Sequence, residues 1–411
     1  MKDSFVSVRC DENNPRWEQC VKRQNSLYSR DNDIRSEFER DYTRLLHCEA
    51  FRRLKHKTQV FFAPKNDHVC TRMEHVTHVA SVASTIAKYL GLNEQLASAI
   101  ALGHDIGHSP FGHFGEDCLN SLLEQKEGKN APKKFWHERN SLFFADYIET
   151  LQDPQGNAKN LDLTYAVRDG IICHCGEVDE KGIRPRTQNI DLYEIKRAGS
   201  VQPFTWEGCV VKLADKIAYL GRDIEDARLY HILDMGAYRQ LKEIVTSCFG
   251  YKTGKTVNTT VLINDLIVDL CERSSPEKGL CFSEQNFKFI TELKKFNFAN
   301  IYTHWRLEEF QNYAFNIIRT IYDTLMKAFP FVRKQKISFA LKQFPRLCTT
   351  FEEWLVKYTD YNKEQKDLMR FGGIKSVFDL TEESYRKCVI EYISGMTDLF
   401  AIAVYEEIIS F

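Results

Sequence analysis

The sequence predicts a mainly α-helical protein, and three observations support this fold class. Apolar residues recur at three- and four-residue spacing over several long stretches, which places them on one face of a helix. Helix breakers are sparse, with 20 Gly and 10 Pro in 411 residues. Strand-like alternation is rare, and only residues around 257–263 are ambiguous. Four long helical stretches are predicted, at 75–90, 206–233, 303–329 and 384–409.

Polar, breaker-rich segments separate these helices. Loops are predicted at residues 127–134, 151–160 and 176–189. The last of them is charged, and whether it is a plain surface loop or a flap beside a functional site stays open. The recognisable patterns of metal-binding and acid–base residues end near position 233. We therefore expect a catalytic region at 1–233, which includes an N-terminal segment that contacts the nucleotide, and a helical extension at 234–411. We expect this extension to be part of the same globule and of an oligomer interface.

The composition argues against several classes of protein. The 56 Lys and Arg nearly balance 57 Asp and Glu, so no overall charge attracts nucleic acid or a membrane surface. The sequence has no apolar segment near residue 1 and no run of about 18 apolar residues, the length that a membrane span requires. We therefore expect a cytoplasmic protein that does not interact with membranes.

The 13 cysteines predict reduced, mostly buried thiols. Their number is odd and they include no CxxC pair, whereas disulfide frameworks belong to short secreted chains. Cys173 and Cys175 flank His174, but one such triplet has too few ligands to close a structural zinc site. We therefore interpret these residues as ordinary buried side chains.

Histidines are concentrated in one part of the chain. Seven of the 12 lie within residues 68–137, where Asp105 and Glu116 also occur. A single His on a helix is usually a structural residue, whereas this density indicates a metal or acid–base site. The seven are His68, His75, His78, His104, His108, His113 and His137.

The adjacent pair His104 and Asp105 is the first candidate for metal ligation. It follows an apolar helix at 97–102, so rigid packing can aim both side chains at one point. Imidazole nitrogen and carboxylate oxygen suit a divalent ion such as Mn²⁺, Mg²⁺, Fe²⁺, Ni²⁺ or Zn²⁺. His75 near the start of the preceding helix is a third candidate. Asp215 is a fourth, because it lies on a largely apolar helix where a carboxylate needs a partner.

Five segments together resemble a known family. They are TRMEH (71–75), GHDIGHSPFGHFGE (103–116), LADKIAYLGRDIEDA (213–227), RDYTRLLHCEAFRRLKHKTQVF (40–61) and EYISGMTDLFA (391–401). The pattern resembles the HD-domain superfamily and, more narrowly, the bacterial deoxyguanosine triphosphate triphosphohydrolases. The resemblance implies a helical HD-domain core. It also implies attack of water on the α-phosphorus of a deoxynucleoside triphosphate, which releases deoxynucleoside and inorganic triphosphate.

The resemblance also implies roles for individual residues. The four metal ligands would be the same His75, His104, Asp105 and Asp215. The catalytic set would be His113 and Glu116, which are three residues apart and so point the same way on a helix, with His137 protonating the leaving oxygen and His108 at the α-phosphate. The substrate contacts would be Gln59, Arg53, Arg72, Lys216, Tyr219 and Asp223.

Several alternatives stay open. Another HD phosphohydrolase is one alternative. A 5′-nucleotidase would release single phosphate from monophosphates, and a two-metal phosphodiesterase would need additional His ligands, for which His78 and His108 are the convenient candidates. A nucleotide sensor or nucleic-acid-binding scaffold would need no turnover. Family members commonly form homo-oligomers, either dimers or hexamers, and a local groove is compatible with weak binding of single-stranded DNA. The preferred base, the metal and an activating nucleotide site are not fixed by the sequence.

Overall fold

The computed structural model describes residues 4–25, 32–62, 68–127, 135–176, 182–250 and 258–410. Residues 128–134 of one predicted loop and 177–181 of another lie outside the described residues. The remaining chain is mainly helical, which confirms the predicted fold class. Residues 259–263 of the ambiguous segment belong to a helix.

The N-terminal half contains nine α-helices and one two-stranded antiparallel sheet among its described residues. These elements are α1 (Trp17–Val21), α2 (Glu37–His47), α3 (Glu49–Arg53), α4 (Arg72–Leu90), α5 (Glu94–Gly103), α6 (Gly112–Glu127), α7 (His137–Phe143), β1 (Thr150–Gln152), β2 (Ala158–Asn160), α8 (Tyr165–Cys173) and α9 (Trp206–Leu229). The prediction of a loop at residues 151–160 was wrong in part, because the two strands of this sheet lie there. Their turn-forming residues instead close a hairpin in which Leu151 pairs with Lys159.

The second half is helical throughout its described part. It contains α10 (Met235–Phe249), α11 (Thr259–Arg273), α12 (Glu284–Asn297), α13 (Trp305–Val332), α14 (Ile337–Ala340), α15 (Pro345–Tyr358), α16 (Lys363–Leu368), α17 (Glu382–Ser394) and α18 (Asp398–Ile409). Short 3-10 or π turns lie at Val6–Val8, Leu54–His56, Phe144–Ile148, Leu192–Glu194 and Phe298–Tyr302.

Helix α4 shows how local sequence sets the boundaries of an element that carries site residues. The Thr71 side chain accepts from the Glu74 N–H while the Glu74 side chain accepts from the Thr71 N–H, which satisfies two donors at the helix start. Gly91 ends the helix with a φ of 79°, a left-handed conformation that favours glycine. The apolar face between these ends is buried against α5 and α9. These three helices bring together the segments that contain His75, His104 and Asp215.

One apolar core extends through both halves of the chain, from Phe5 to Val404. Helix α9 packs against α4, α5 and α8, and also against α11 and α12. The division of the chain at residue 233 therefore remains a prediction about function, since the two parts share their core.

The predicted helix at 384–409 is broken in the structure. Helix α17 ends at Ser394, and α18 begins after Thr397, whose side chain caps it by accepting from the Phe400 N–H. Within the described residues, no single helix is long and apolar enough to span a membrane. The two helices reach that length and hydropathy only as a pair bent by 117°.

The break between α17 and α18 places Asp398 at the centre of a buried set of polar contacts, which includes those of Thr58, Phe111 and the neighbouring Lys57 and which we call the clamp. One of its carboxylate oxygens accepts from the N–H and the hydroxyl of Thr58, and the other accepts from the Phe111 N–H at 2.8 Å. Lys57, also buried, donates to the carbonyl oxygens of His108 and Ser394. Three segments that are distant in the sequence are therefore held together by polar bonds inside the core.

The clamp predicts that Asp398→Asn destabilises the fold by about 1–3 kcal/mol. The amide has one accepting oxygen, so either the Thr58 donors or the Phe111 N–H must face an NH₂ group. Urea unfolding followed by circular dichroism measures the loss.

Asp379→Asn is the matched control. Asp379 also accepts from the N–H and hydroxyl of a threonine, Thr381, but it does so on an exposed surface. Its substitution should shift the unfolding midpoint far less. Equal shifts for the two variants would contradict the clamp.

Candidate active site

Many of the predicted site residues line one cavity of about 350 Å³, a volume in the range of ligand pockets. The predicted residues that line it are Gln59, Arg72, His75, Asp105, His108, His113, His137, Asp215, Tyr219 and Asp223. His104 and Glu116 lie directly behind this wall and contact its members.

Gly107 allows the turn after α5 to approach the backbone of helix α7 closely. A Cβ atom at this position would lie 2.1 Å from the backbone nitrogen of Ser141, so only glycine allows the approach. The Gly107 N–H donates to the Ser141 hydroxyl, and its carbonyl accepts from the Asn140 side chain at 2.7 Å. The glycine thereby fixes His104 and Asp105 next to His137 at the start of α7.

His104 has the orientation of a metal ligand. Its Nδ1 lies 2.7 Å from the carbonyl oxygen of Ala101, one turn earlier, so it carries the proton. Its Nε2 is buried and has no hydrogen-bond partner among the described residues. Burial lowers the pKa of the ring to about 4, which keeps it neutral. A neutral, buried nitrogen with a free lone pair fits a cation, and its second nitrogen is fixed by a backbone carbonyl as in many metal sites.

The other three predicted ligands surround this nitrogen. Donor atoms of His75, His104 and Asp215 lie within 4.8 Å of one another. His75 Nε2 is 2.9 Å from an Asp215 carboxylate oxygen, and His104 Nε2 is 3.6 Å from a carboxylate oxygen of Asp105. Two imidazoles and two carboxylates suit a divalent cation of borderline or hard character. The residues present therefore fit a metal ion, whose identity stays open.

Arg72 is held on the protein side of this group. Its Nη1 donates to Asp105 at 2.5 Å, and its other nitrogens donate to the carbonyl oxygens of Thr58 and Gln59 at 3.3 Å. Although burial opposes it, the guanidinium of Arg72 helps to keep the pKa of Asp105 well below its ordinary value. Asp105 is thereby maintained as a carboxylate. Contact of Arg72 with a phosphate remains a prediction.

Glu116 lies between two histidines. Its carboxylate is 3.1 Å from Nδ1 of His137 and 3.5 Å from Nδ1 of His113, whose side chain is 71% exposed. Burial of His137 opposes protonation, but the carboxylates of Glu138 and Glu116 raise its pKa to about 10. The structure therefore places a protonated imidazole beside a carboxylate, with His108 stacked on the His137 ring at 4.3 Å between centroids.

The face of α9 that contains Asp215 continues along the cavity through Tyr219 and Asp223. Asp215, Tyr219 and Asp223 follow one another at intervals of four residues, a spacing that places them on one face of a helix. Tyr302, from the π turn before α13, donates its hydroxyl proton to Asp223. Burial raises the pKa of Asp223 to about 7. Tyr302 was missed by sequence reasoning, because an isolated tyrosine about 80 residues away carries no motif.

Two predicted substrate residues are not among those lining this cavity. Arg53 pairs with the buried carboxylate of Glu149 at 2.7 Å and borders a separate cavity of about 420 Å³. A buried carboxylate needs a cation, which explains why the arginine turns that way. Lys216 is buried on α9, one residue after Asp215. Gln59 does line the cavity, and its amide oxygen accepts no hydrogen bond within the described ranges.

The sequence indicated that His174 is an ordinary buried side chain, but in the structure it lies at the site. It follows α8 as His104 follows α5, and its Nδ1 is 2.7 Å from the carbonyl oxygen of Ile171, again one turn earlier. Its ring meets that of His104 edge to face at 4.8 Å. The sequence does contain a pattern that could have indicated this position. His174 ends an apolar helix, as His104 does in residues 99–104.

The comparisons with known families agree with this geometry. The model of the HD domain matches residues 72–220, a range that contains all four predicted metal ligands. The model of the phosphohydrolase-associated domain matches residues 280–342, which contain Tyr302. The fold and the site thus define an HD-domain protein with histidine and carboxylate side chains arranged for a divalent cation.

Three relatives narrow this class, and each is named deoxyguanosinetriphosphate triphosphohydrolase-like protein. That of Caldanaerobacter subterraneus is 32% identical over 376 residues, covering 92% of this chain and 86% of the relative. That of Clostridium tetani is 37% identical over 301 residues, covering 72% and 74%. That of Rickettsia felis is 31% identical over 398 residues, covering 92% of both. The chain belongs to this deoxyguanosinetriphosphate triphosphohydrolase-like family.

The site predicts that replacing any one of the four predicted ligands with alanine weakens the binding of a divalent cation. His75→Ala, His104→Ala, Asp105→Ala and Asp215→Ala should each weaken Mn²⁺ binding by about tenfold or more, since each removes a ligand from the cation. Isothermal titration with Mn²⁺ measures the affinity, and elemental analysis measures the metal content.

His78→Ala is the matched control for this series. His78 is on the same helix as His75, three residues further on, and it does not line the cavity. Its substitution should leave Mn²⁺ affinity unchanged. The ligand assignment is wrong for any residue whose alanine variant keeps the parent affinity.

The raised pKa of Asp223 predicts that the stability of the fold depends on pH. Its folded-state pKa of about 7 lies above the value near 3.9 of an unfolded aspartate. The native state therefore binds the proton more tightly, and stability declines as the pH rises from about 4 to 7. Asp223→Asn keeps an acceptor for Tyr302 without the charge.

Thermal unfolding in chelator at pH 5 and pH 8 tests this effect. The Asn variant should be more stable than the parent at pH 8, and the difference should shrink at pH 5. A difference that is the same at both pH values would show that Asp223 does not titrate in this range.

Proposed function

We propose that the chain hydrolyses deoxynucleoside triphosphates at the α-phosphorus, releasing the deoxynucleoside and intact triphosphate. The observation that carries this proposal is the cavity itself. It joins the His104 and Asp105 metal group to the Glu116 and His137 acid–base pair within one pocket. The names of the relatives, which refer to deoxyguanosine triphosphate, support this choice of substrate class.

The cation would be held by His75, His104, Asp105 and Asp215. When bound, it supplies positive charge that polarises the oxygens of the α-phosphate. Arg72 holds Asp105 in the ionised form that this role requires.

Proton transfer is assigned to the histidines around Glu116. His137 presents Nε2 to the cavity, because its Nδ1 faces Glu116, and a protonated ring there can donate to the leaving 5′ oxygen. His113, at the mouth of the cavity and also beside Glu116, takes a proton from the attacking water. One P–O bond forms and the P–O5′ bond breaks, so the two proton transfers balance.

We assign binding of the deoxyribose to the side of the cavity that α9 forms. Gln59 offers a buried amide oxygen that accepts a hydrogen bond from the 3′-hydroxyl, and Asp223, fixed by Tyr302, lies on the same cavity. Tyr219 lies between Asp215 and Asp223 on α9 and supplies an aromatic face for packing against C2′. A ribose 2′-hydroxyl would be buried there without a partner, which disfavours ribonucleotides.

Product analysis in ¹⁸O-water tests the reaction. The expected products from each deoxynucleoside triphosphate with Mn²⁺ are deoxynucleoside and triphosphate, with one ¹⁸O atom on a terminal phosphorus of the triphosphate. Chromatography identifies the products, and the ³¹P isotope shift locates the label. Monophosphate with pyrophosphate, hydrolysis of monophosphates alone, or no turnover would overturn the proposal in favour of another HD phosphohydrolase or a sensor.

Glu116→Gln separates chemistry from metal binding. The amide cannot stabilise the two histidines as a carboxylate does, so kcat should fall by about 10²- to 10⁴-fold, while Mn²⁺ affinity stays that of the parent. A variant that loses the metal together with the rate would show that Glu116 belongs to the cation site.

A further inference from the structure

Four donor side chains meet on the part of the cavity next to α7 and α8. Donor atoms of His137, Glu138, His174 and Cys175 all lie within 4.8 Å of one another. Ligands around a tetrahedral zinc ion are about 3.3–3.8 Å apart, given Zn–N and Zn–S bonds of about 2.0–2.3 Å. Cys175 Sγ and His137 Nε2 are already 3.9 Å apart. Side-chain movements of about 1 Å or less would close the group around one cation.

The atoms that face this point are all of types that ligate metals. His174 uses Nδ1 for the carbonyl of Ile171, which leaves its Nε2 free to ligate. His137 directs Nδ1 toward Glu116, so its Nε2 faces the group and ligates once it has released its proton. Glu138 is 2% exposed, and its Oε2 lies 3.6 Å from Nδ1 of His137 but accepts no hydrogen bond in the described part of the chain. A buried carboxylate oxygen without a hydrogen bond is rare, and a cation would satisfy it.

The sulfur determines which cation fits. Thiolate ligands select zinc and other soft ions, whereas Mg²⁺ and Mn²⁺ prefer oxygen. We propose that His137, Glu138, His174 and Cys175 form a second, inhibitory site for a soft divalent cation such as Zn²⁺, beside the predicted catalytic cation. The thiol of Cys175 and the protonated ring of His137 each release one proton to solvent as the metal binds. His174 adjoins both sites, because it also lies beside His104 and Asp105.

Occupation of this site would stop turnover. Nε2 of His137 is the ring nitrogen that faces Cys175 and Asp105, at 3.9 Å from each. A zinc ion on that nitrogen prevents it from donating a proton to a leaving group. The inhibitory effect rests on the function proposed above, whereas the binding of zinc does not.

Cobalt binding tests the site without any assay of activity. The Mn²⁺-loaded protein is titrated with Co²⁺, whose coordination by a thiolate gives a charge-transfer absorption in the near ultraviolet. We expect one equivalent of this absorption in the parent and its displacement by Zn²⁺. Absence of the absorption in the parent would overturn the proposal.

Cys175→Ser and Cys173→Ser form the matched pair. Cys173 is two residues away, but its thiol faces Asp169 at 3.8 Å and does not line the cavity. Cys173→Ser should keep the absorption, and Cys175→Ser should lose it and bind Zn²⁺ about tenfold or more weakly. Cys175→Ala serves as a second variant, and thermal unfolding confirms that each variant folds. An absorption that persists in both Cys175 variants would assign the thiolate elsewhere and overturn the site.

Inhibition provides the second measurement. Micromolar Zn²⁺ added to the Mn²⁺ enzyme should inhibit the parent and Cys173→Ser, while Cys175→Ser should resist it. Equal inhibition of all three would overturn the inhibitory role. If no substrate is turned over, the function proposed above fails, and the cobalt titration still decides whether the soft-metal site exists.

Discussion

The buried carboxylate of Asp398 holds the active-site region together. It satisfies donors of Thr58 and Phe111, and the neighbouring Lys57 binds the carbonyl of His108. Phe111 has a φ of 63°, which is unfavourable for a side chain with a Cβ. A charge-assisted hydrogen bond in a core offsets that cost, since the N–H would otherwise be buried without an acceptor. The turn that carries His108 and the segment that carries Gln59 thus depend on a residue from the C-terminal helices.

Around the cavity, most of the charged groups are already paired within the protein. Asp105 is bound by Arg72, Asp215 by His75, and Glu116 by His137. Paired charges avoid the cost of isolated burial and keep the carboxylates ionised without a ligand. In the described part of the chain, the buried atoms around the cavity without a hydrogen bond include His104 Nε2, both ring nitrogens of His108 and the amide oxygen of Gln59. These atoms can bind a ligand without first breaking a contact within the protein.

The sequence predicted the parts of this site whose spacing follows one helix or one motif. The wall formed by Asp215, Tyr219 and Asp223 follows from helical periodicity. Spacing along the chain does not reveal that Arg53 turns to Glu149, because that choice depends on a carboxylate from a distant segment. His174 had the same local pattern as His104, but without the adjacent Asp it looked like a core residue.

The polar bonds between Thr58 and Asp398 join positions that are 340 residues apart. Contacts at such separation close late, because the entropy of the intervening loop opposes them until the rest of the core has formed. On a ribosome, residues 72–220 of the HD domain are synthesised long before residue 398 emerges. Until then Thr58 and Phe111 lack the carboxylate that binds them, and the shared core lacks the side chains of α18, so the pocket is completed only with the last helix.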